Sequence, residues 1–405
     1  MSNDAVAHSF NTLGIVGTGA MGRGIAQLAA QAGLNVMLFD VKEGAVAEAT
    51  AFIHELWQRS ADKQRITQAQ AEQYGERLIE ARDLAELAPC DIVVEAIIEK
   101  LEAKQGLFSD LEGIVRQDAV LATNTSSLSV TAIAAACQHP ERVIGFHFFN
   151  PVPLMKIVEV IPGLRTANDV TQRVNALGTS MGHFTAQATD TPGFLVNHAG
   201  RAFGTEALRI LSESVADPAT IDRIMVDQGG FRMGPFTLLD LTGLDVSHAV
   251  MESVYHQYYE EPRFRPSPLT RQRLSAGLLG RKTGEGFYRY VDGQQQMPEE
   301  PAIATASPCP VWISQDDPGS AAQLAELVAT AGWPLESADQ PSSEALCLLT
   351  PLGEDTTQCA LRQGLNAEQC VAVDMLAGLD KRRSLMASPI TRPELVNAAA
   401  SLLNA

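Results

Sequence analysis

A glycine-rich turn near the amino terminus constrains the fold most strongly. The apolar run LGIV at residues 13–16 is followed by GTGAMG, by a helical pattern through Gly33, and by NVMLFD, which is typical of a second strand. This order predicts a βαβ unit. DIVVEAI (91–97) and AVLATNTS (119–126) predict further strands. The first part of the chain is therefore predicted to form a parallel, doubly wound α/β sheet.

The glycines of GTGAMG have the spacing of a dinucleotide-binding loop. Gly17 suits a tight turn, Gly19 a close approach of the backbone to a pyrophosphate, and Gly22 close packing of the helix on the strand. Asp40, at the end of the second strand, would bond both ribose hydroxyls and repel a 2′-phosphate. The sequence therefore predicts NAD, rather than NADP, as the cofactor.

The stretch GFHFFNPVPLMKIVEVI (145–161) places a histidine and a glutamate inside apolar runs. His147 and Glu159 are equally far from Pro153, so a turn near that proline would bring them face to face in an antiparallel pair. A carboxylate beside a buried histidine holds the ring in one tautomer and makes it more basic, as a general base requires. The alternative is an ordinary core histidine whose hydrogen bonds are satisfied.

The pattern of the chain changes at Asp190. From DTPGFLVNHAG to about Gly277 apolar residues recur at helical spacing, which predicts a helical second domain. The span from Glu43 to about Ala88 also has a helical pattern. Near the carboxyl end PVWIS, EALCLLT, CVAVDML and RSLMAS predict short strands that alternate with helices.

Three domains are expected from these changes in pattern. Residues 1–190 would form the NAD-binding domain and residues 191–295 the helical domain. Between Arg289 and Arg362 the chain has no lysine or arginine, which supports a boundary near residue 295. Residues 296–405 would then form a small α/β module.

Charge and cysteine content exclude several classes of partner. The formal net charge of −18 argues against binding to nucleic acid or to an anionic membrane, since both need a basic surface. The six cysteines include no CxxC pair, which favours reduced thiols over disulfides or a zinc site and predicts a cytoplasmic protein without a metal. The terminus MSNDAVAHSFNT is predicted to be a short disordered segment without a signal sequence, and no apolar stretch is long enough to span a membrane.

Seven ordered motifs resemble those of one family. They are GTGAMG, VVEAIIEKLEAK, NTSSLSV, HFFNPVPLMKIVEV, DTPGFLVN, MGPFTLLDLTGLDV and GRKTGEGFY. Their order and spacing resemble L-3-hydroxyacyl-CoA dehydrogenases, including the bacterial 3-hydroxybutyryl-CoA type, over roughly residues 11–291. The resemblance implies a Rossmann domain that binds NAD, a helical domain that also forms a homodimer, and reversible oxidation of (S)-3-hydroxyacyl-CoA to 3-ketoacyl-CoA.

The resemblance also implies roles for individual residues. His147 corresponds to the general base and Glu159 to its partner, while Ser126 and Asn197 correspond to residues that position the substrate's C3 oxygen. Four further residues correspond to positions that contact the cofactor or its surroundings: Glu99, Lys104, Asn150 and Lys282. The alternatives are solvated surface charges for the two lysines and an ordinary helix pair for the glutamate.

The carboxyl-terminal end of the chain departs from the pattern of the longer family members. Longer members of the family, of the kind found in phenylacetate catabolism, carry a second helical domain after such an α/β module, whereas this chain stops at SLLNA. Either the chain is naturally short or a longer protein has been cut.

Two other functions are also compatible with the motifs. One is a dehydrogenase of free hydroxy or sugar acids, because λ-crystallin relatives share HFFNP, and the other is a non-catalytic NAD-binding protein.

Overall fold

The computed structural model of the protein describes residues 10–404, so most of the predicted disordered terminus lies outside the described residues. Two compact units divide the chain. The first holds the chain up to Ala202 together with Ala249–Pro266, and the second holds Phe203–His248 and the chain from Ser267 onward. The three predicted domains, with boundaries at residues 190 and 295, stay a prediction.

The first unit contains a sheet with helices on its two faces. Its elements are β1 (Thr12–Val16), α1 (Ala20–Gln31), β2 (Asn35–Phe39), α2 (Ala45–Asp62), α3 (Gln68–Gly75), β3 (Leu78–Glu80), β4 (Ile92–Glu95), α4 (Leu101–Ile114), β5 (Val120–Thr123), α5 (Val130–Ala134), β6 (Val143–Phe148), β7 (Ile157–Pro162), α6 (Asn168–Ser180), β8 (Phe184–Gln187) and α7 (Val196–Ala199). Short 3-10 turns lie at Leu84–Leu87, Pro140–Arg142 and Pro262–Phe264.

The sheet has the order β3-β2-β1-β4-β5-β6-β7-β8. All neighbouring strands are parallel except β6 and β7. The strand order reverses between β1 and β4, and ligands of open parallel sheets bind beyond the carboxyl ends of the strands at such a point. Gly17 follows β1 and Ala96 follows β4, so both lie at this edge.

Both faces of this sheet are buried, as a parallel sheet requires. On β4 the side chains of Ile92 and Val94 belong to one hydrophobic cluster and that of Val93 to another on the opposite face. Period-two alternation of side chains produces this division. The predicted fold class, a Rossmann sheet followed by helices and a small α/β module, is confirmed.

One secondary-structure prediction was wrong. The helical span expected from Glu43 to about Ala88 contains α2 and α3 but then the strand β3 and a 3-10 turn. β3 pairs in parallel with β2, with Leu78 opposite Val36, and so extends the sheet at its edge. An exposed edge strand of three residues has too short an alternating pattern to be recognised beside a helix.

The second unit combines helices with a small sheet, and α8 and α11 include residues of both units. Its helices and strands are α8 (Arg201–Ser212), α9 (Pro218–Arg223), α10 (Pro235–Thr242), α11 (Leu244–Gln257), α12 (Pro268–Ser275), β9 (Arg289–Val291), β10 (Gln294–Gln296), β11 (Val311–Ile313), α13 (Pro318–Thr330), β12 (Leu346–Leu349), α14 (Thr356–Arg362), β13 (Cys370–Val373), β14 (Leu385–Ala387) and α15 (Pro393–Leu403). A π-helical turn lies at Ile224–Gln228, with 3-10 turns at Arg281–Thr283 and Ala367–Gln369. The small sheet has the order β11-β12-β13-β14.

Candidate active site

The hairpin of β6 and β7 pairs His147 with Glu159, which confirms the register expected from the sequence. Nδ1 of His147 lies 2.6 Å from Oε2 of Glu159. Both side chains are buried, at 6% and 0% exposure. A carboxylate accepts, so this bond requires a proton on Nδ1, and in the neutral tautomer that has it Nε2 keeps its lone pair.

The other oxygen of Glu159 holds the start of α7. Oε1 accepts hydrogen bonds from the backbone amides of Leu195 at 2.9 Å and Val196 at 2.7 Å. The next residue is Asn197, so one buried carboxylate fixes both the imidazole and the segment that carries Asn197. Phe194, the residue before Leu195, places its ring 5.7 Å from the imidazole.

Asn197 reaches the loop that follows β5. Its Nδ2 lies 3.5 Å from the backbone carbonyl oxygen of Ser126. Gln257 donates to the carbonyl oxygen of Ser127 at 2.8 Å, and the amide of Phe148 donates to Oδ1 of Asn124 at 2.8 Å. The structure therefore links the NTSS loop (residues 124–127) to α7 and to the strand that carries His147.

Glu99 lies at the centre of this loop. Its Oε1 faces the hydroxyl of Thr125 at 2.6 Å, the amides of Ser126 and Ser127 at 2.9 and 3.0 Å, and the hydroxyls of these serines at 3.3 and 3.0 Å. Its Oε2 lies 3.2 Å from Nζ of Lys104. Burial raises the pKa of Glu99, but the Lys104 ammonium and these hydrogen bonds outweigh burial and hold the pKa below its ordinary value.

The dinucleotide loop has the geometry that its glycines require. Gly17 has φ +92°, and a Cβ there would lie 2.6 Å from the carbonyl oxygen of Ala96. A Cβ at Gly22 would collide with the carbonyl oxygen of Gly17, so helix and strand pack closely. Among the described residues, a Cβ at Gly19 would meet no atom within 4 Å, and no side chain caps the amides of α1. This open, uncapped helix start fits a pyrophosphate.

Asp40 lies beside the same loop. Its Oδ2 accepts from the amide and the hydroxyl of Thr18 at 2.7 and 3.0 Å, and its Oδ1 accepts from the amide of Lys42 at 2.9 Å. Burial raises the pKa of Asp40, but these hydrogen bonds together lower it by more than burial raises it. The pKa of Asp40 is therefore below its ordinary value of 3.8. Asp40 is therefore a carboxylate at neutral pH, as discrimination against a 2′-phosphate requires.

The remaining predicted cofactor residues have different surroundings. Asn150 is exposed in the loop after β6. Lys104 is buried, with 1% of its side chain exposed, and its ammonium lies 2.5 Å from Oε1 of Glu95. Lys282 belongs to the second unit, where its ammonium pairs with Asp245. The structure thus surrounds Lys104 with carboxylates, which excludes the alternative of a solvated surface charge for that residue.

Two acidic residues at the site were not predicted. Glu95 ends β4 with no exposed surface, and Asp190 accepts hydrogen bonds from the hydroxyl of Ser129 and from the amides of Val130 and Thr131 at the start of α5. Glu95 stands in the apolar run DIVVEAI. A charged residue inside a buried strand was the signal that identified Glu159, and the same signal was present here.

Comparison with known proteins identifies the family. Residues 12–191 match the model described as the NAD-binding domain of 3-hydroxyacyl-CoA dehydrogenase, and residues 193–290 match its C-terminal domain. The chain belongs to the 3-hydroxyacyl-CoA dehydrogenase family. It is thus a member of a family of NAD-dependent oxidoreductases, and NAD is its cofactor.

The relatives fall into two lengths. The chain is 43% identical over 277 residues to 3-hydroxyadipyl-CoA dehydrogenase of Escherichia coli (strain K12), a match that covers 68% of this chain and only 58% of that relative. It is 42% identical over 277 residues, again 68% of this chain, to a probable 3-hydroxybutyryl-CoA dehydrogenase of Deinococcus radiodurans, of which 99% is covered.

A solved structure includes the carboxyl-terminal part as well. The crystal structure of 3-hydroxybutyryl-CoA dehydrogenase from Escherichia coli K12 is similar with a TM-score of 0.81 and 33% identity, and the match covers 98% of this chain and 78% of that one. Within residues 10–404, no helix combines the length and the apolar character needed to cross a membrane.

Proposed function

We propose that the protein interconverts (S)-3-hydroxyacyl-CoA and 3-ketoacyl-CoA, with His147 as general base in oxidation and general acid in reduction. The observation that carries the proposal is the buried hydrogen bond between Nδ1 of His147 and Oε2 of Glu159. It leaves Nε2 to take the proton of the substrate's C3 hydroxyl. The positive charge that then forms on the ring faces the Glu159 carboxylate, which stabilises it.

Bound NAD supplies the hydride acceptor for C3. The chain's own residues hold the substrate for this step: Ser126 and Asn197 would bond the C3 oxygen both as an alcohol and as a carbonyl, so little rearrangement is needed during the reaction. The 3.5 Å approach of Asn197 Nδ2 to the Ser126 backbone supports this shared role. The uncapped amides of α1 and the Asp40 carboxylate would hold the pyrophosphate and the adenosine ribose.

A thioester of coenzyme A is the substrate class that the relatives favour. The names of the relatives described above give 3-hydroxyadipyl-CoA or 3-hydroxybutyryl-CoA as the substrate. Glu99 and Asn150 are proposed to lie near the cofactor, and the cofactor contact of Lys282 stays a prediction. The homodimer through the helical domain and the cytoplasmic location stay predictions.

Oxidation of NADH tests the proposal. The chain is given acetoacetyl-CoA, free acetoacetate, or neither, and each reaction is repeated with NADPH. Turnover with acetoacetyl-CoA and NADH alone is the expected result. Turnover with free acetoacetate would favour a dehydrogenase of free acids, and binding of NADH without turnover of either substrate would favour a non-catalytic protein.

A further inference from the structure

We infer that Glu95 and Lys104 are positioning residues that act on Ser126 through the carboxylate of Glu99. This inference rests on the proposed function, because it assigns Ser126 to the substrate's C3 oxygen. It also replaces the role that the resemblance implied for Lys104, a contact with the cofactor or its surroundings.

The ammonium of Lys104 is enclosed by protein carboxylates. Nζ lies 2.5 Å from Oε1 of Glu95 and 3.2 Å from Oε2 of Glu99, and 1% of the side chain is exposed. α4 presents Lys104 on its buried face together with Phe108 and Leu111. A cation that is buried between two carboxylates is occupied by them, so its task is to orient these groups.

Glu95 is itself held from two sides. Its Oε2 accepts from the hydroxyl of Thr123 at 2.7 Å, and its Oε1 accepts from the amide of Ile97 at 2.7 Å as well as from Lys104. Glu95 lies at the carboxyl end of β4 and Thr123 at the carboxyl end of β5. The rigid edge of the sheet therefore fixes the position of the Lys104 ammonium.

Glu99 transmits this position to the NTSS loop. One oxygen is fixed by Lys104, which leaves Oε1 aimed at the loop, where two backbone amides and three hydroxyls face it. One carboxylate oxygen has too few lone pairs for five donors. The hydroxyl of Ser126, at 3.3 Å, is the most distant of them and is released at the least cost. The amide bonds thus hold the backbone of Ser126 while its hydroxyl can turn to the substrate.

The chain of contacts runs from Glu95 to Lys104, then to Glu99, and finally to Ser126. Loss of the ammonium would free the Glu99 carboxylate to rotate and would loosen the loop without removing any group that touches the substrate. The expected effect is a lower turnover number with little change in NADH affinity.

A double-mutant cycle tests the inference. Lys104→Met is made alone and together with Ser126→Ala, and Lys100→Met, an exposed lysine just before α4, is the matched control. With acetoacetyl-CoA as substrate, Lys104→Met is expected to lower kcat by about 10- to 100-fold. Titration of NADH fluorescence is expected to show a Kd within about twofold of that of the unmodified protein. On the Ser126→Ala background the same change is expected to cost less than about twofold.

A variant with both charges removed keeps the test valid if Lys104→Met does not fold. In Glu95→Gln/Lys104→Met no unpaired carboxylate stays buried at residue 95. The kcat of this variant is compared with Ser126 present and with Ser126→Ala. The same fold-loss with and without Ser126 would overturn the inference, since a purely structural role acts on both alike. A loss seen only in the NADH Kd would show direct contact with the cofactor and would overturn it too. No turnover by the unmodified chain would overturn the proposed function, and with it this inference.

Discussion

The first sheet and the carboxyl-terminal module share a local plan but differ at their helix starts. In both, an apolar parallel strand leads through a turn into a helix, β1 into α1 and β11 into α13. α1 begins after Gly19, and no side chain within residues 10–404 caps its amides. α13 begins after Asp317, whose carboxylate accepts from the amide of Gly319 at 3.1 Å and from the hydroxyl of Ser320 at 2.5 Å. One helix start is open to an anion, while the chain's own carboxylate fills the other.

The groups at the carboxyl ends of the strands β11 and β4 differ in charge. After β11 the hydroxyl of Ser314 donates to Oε1 of Gln363 at 2.7 Å, a contact between neutral groups. At the end of β4 the Glu95 carboxylate holds a buried ammonium. A parallel sheet with helices does not by itself make a site; the open helix start and the buried charged groups do. Four variants test this contrast, and a measurement across pH tests the charge of Asp40.

Glu159→Gln is expected to have the largest effect of these four variants, a fall in kcat of roughly 10²- to 10³-fold. Glutamine has one acceptor oxygen, which cannot serve both the His147 ring and the amides of Leu195 and Val196. Steady-state kinetics with acetoacetyl-CoA measures the loss. The matched control is Glu112→Gln, because the Glu112 carboxylate also accepts from two backbone amides, those of Gln138 and His139. An equal loss of kcat in the control would contradict the assignment.

Gly19→Asp gives α1 the kind of start that α13 has. The new carboxylate is expected to weaken NADH binding by about 100-fold, since juxtaposed like charges cost several kcal/mol. The protein is expected to fold normally, because a Cβ at Gly19 meets no atom within 4 Å. Fluorescence titration of NADH is the measurement. Gly106→Asp adds the same group at another open position, on α4, and should leave the Kd unchanged. Unchanged NADH affinity in Gly19→Asp would show that the cofactor does not use this helix start.

Asp40→Ala is expected to have a smaller effect, about a tenfold loss of NAD affinity with a narrower preference over NADP. The Kd values of both cofactors, measured side by side, test it. Asp91→Ala is the control, since the Asp91 carboxylate also accepts from two amides, those of Asn11 and Thr12, but lies at the other end of β1. An unaltered preference in Asp40→Ala would place the ribose contact elsewhere.

The charge of Asp40 also predicts a pH dependence. The pKa of Asp40 is below its ordinary value of 3.8, so the carboxylate persists as the pH falls and is lost only when the pH passes through that lowered pKa. NAD affinity is therefore expected to stay constant between about pH 7 and pH 5. Isothermal titration across this range measures it. A decline centred near pH 6 would show that another group controls binding.

Asp317→Ala is expected to have the smallest effect. Removal of the side chain that caps α13 should lower the Tm by roughly 2–4 °C and leave kcat and the NADH Kd unchanged. Thermal unfolding and steady-state kinetics on the same preparation measure both. A change in cofactor affinity would contradict the view that the start of α13 has only a structural task.

Much of the first unit could be predicted because its signals are local. Gly17, Gly19 and Gly22 each meet a requirement of one short loop. The pairing of His147 with Glu159 followed from their equal distance from Pro153 and from the period of two along a strand. Both predictions needed only neighbouring residues and simple geometry.

The parts that could not be predicted depend on contacts between distant segments. The sequence gives no sign that Lys104 on α4 points to Glu95 on β4 rather than to solvent, because a lysine on a helix is usually exposed. The short edge strand β3 is defined by its pairing with β2. Asp190, which holds the start of α5, is 60 residues from Val130 in the chain. Tertiary packing decides each of these.

His147→Gln is the most direct test of His147 as the general acid and base. NADH affinity and the oxidation of NADH by acetoacetyl-CoA are measured for this variant and for the unmodified chain. We predict that kcat falls by about 10²- to 10⁴-fold while the NADH Kd stays within about twofold, as the loss of a general acid requires. Near-normal turnover in the variant would contradict this role of His147, since the proton would then have another donor.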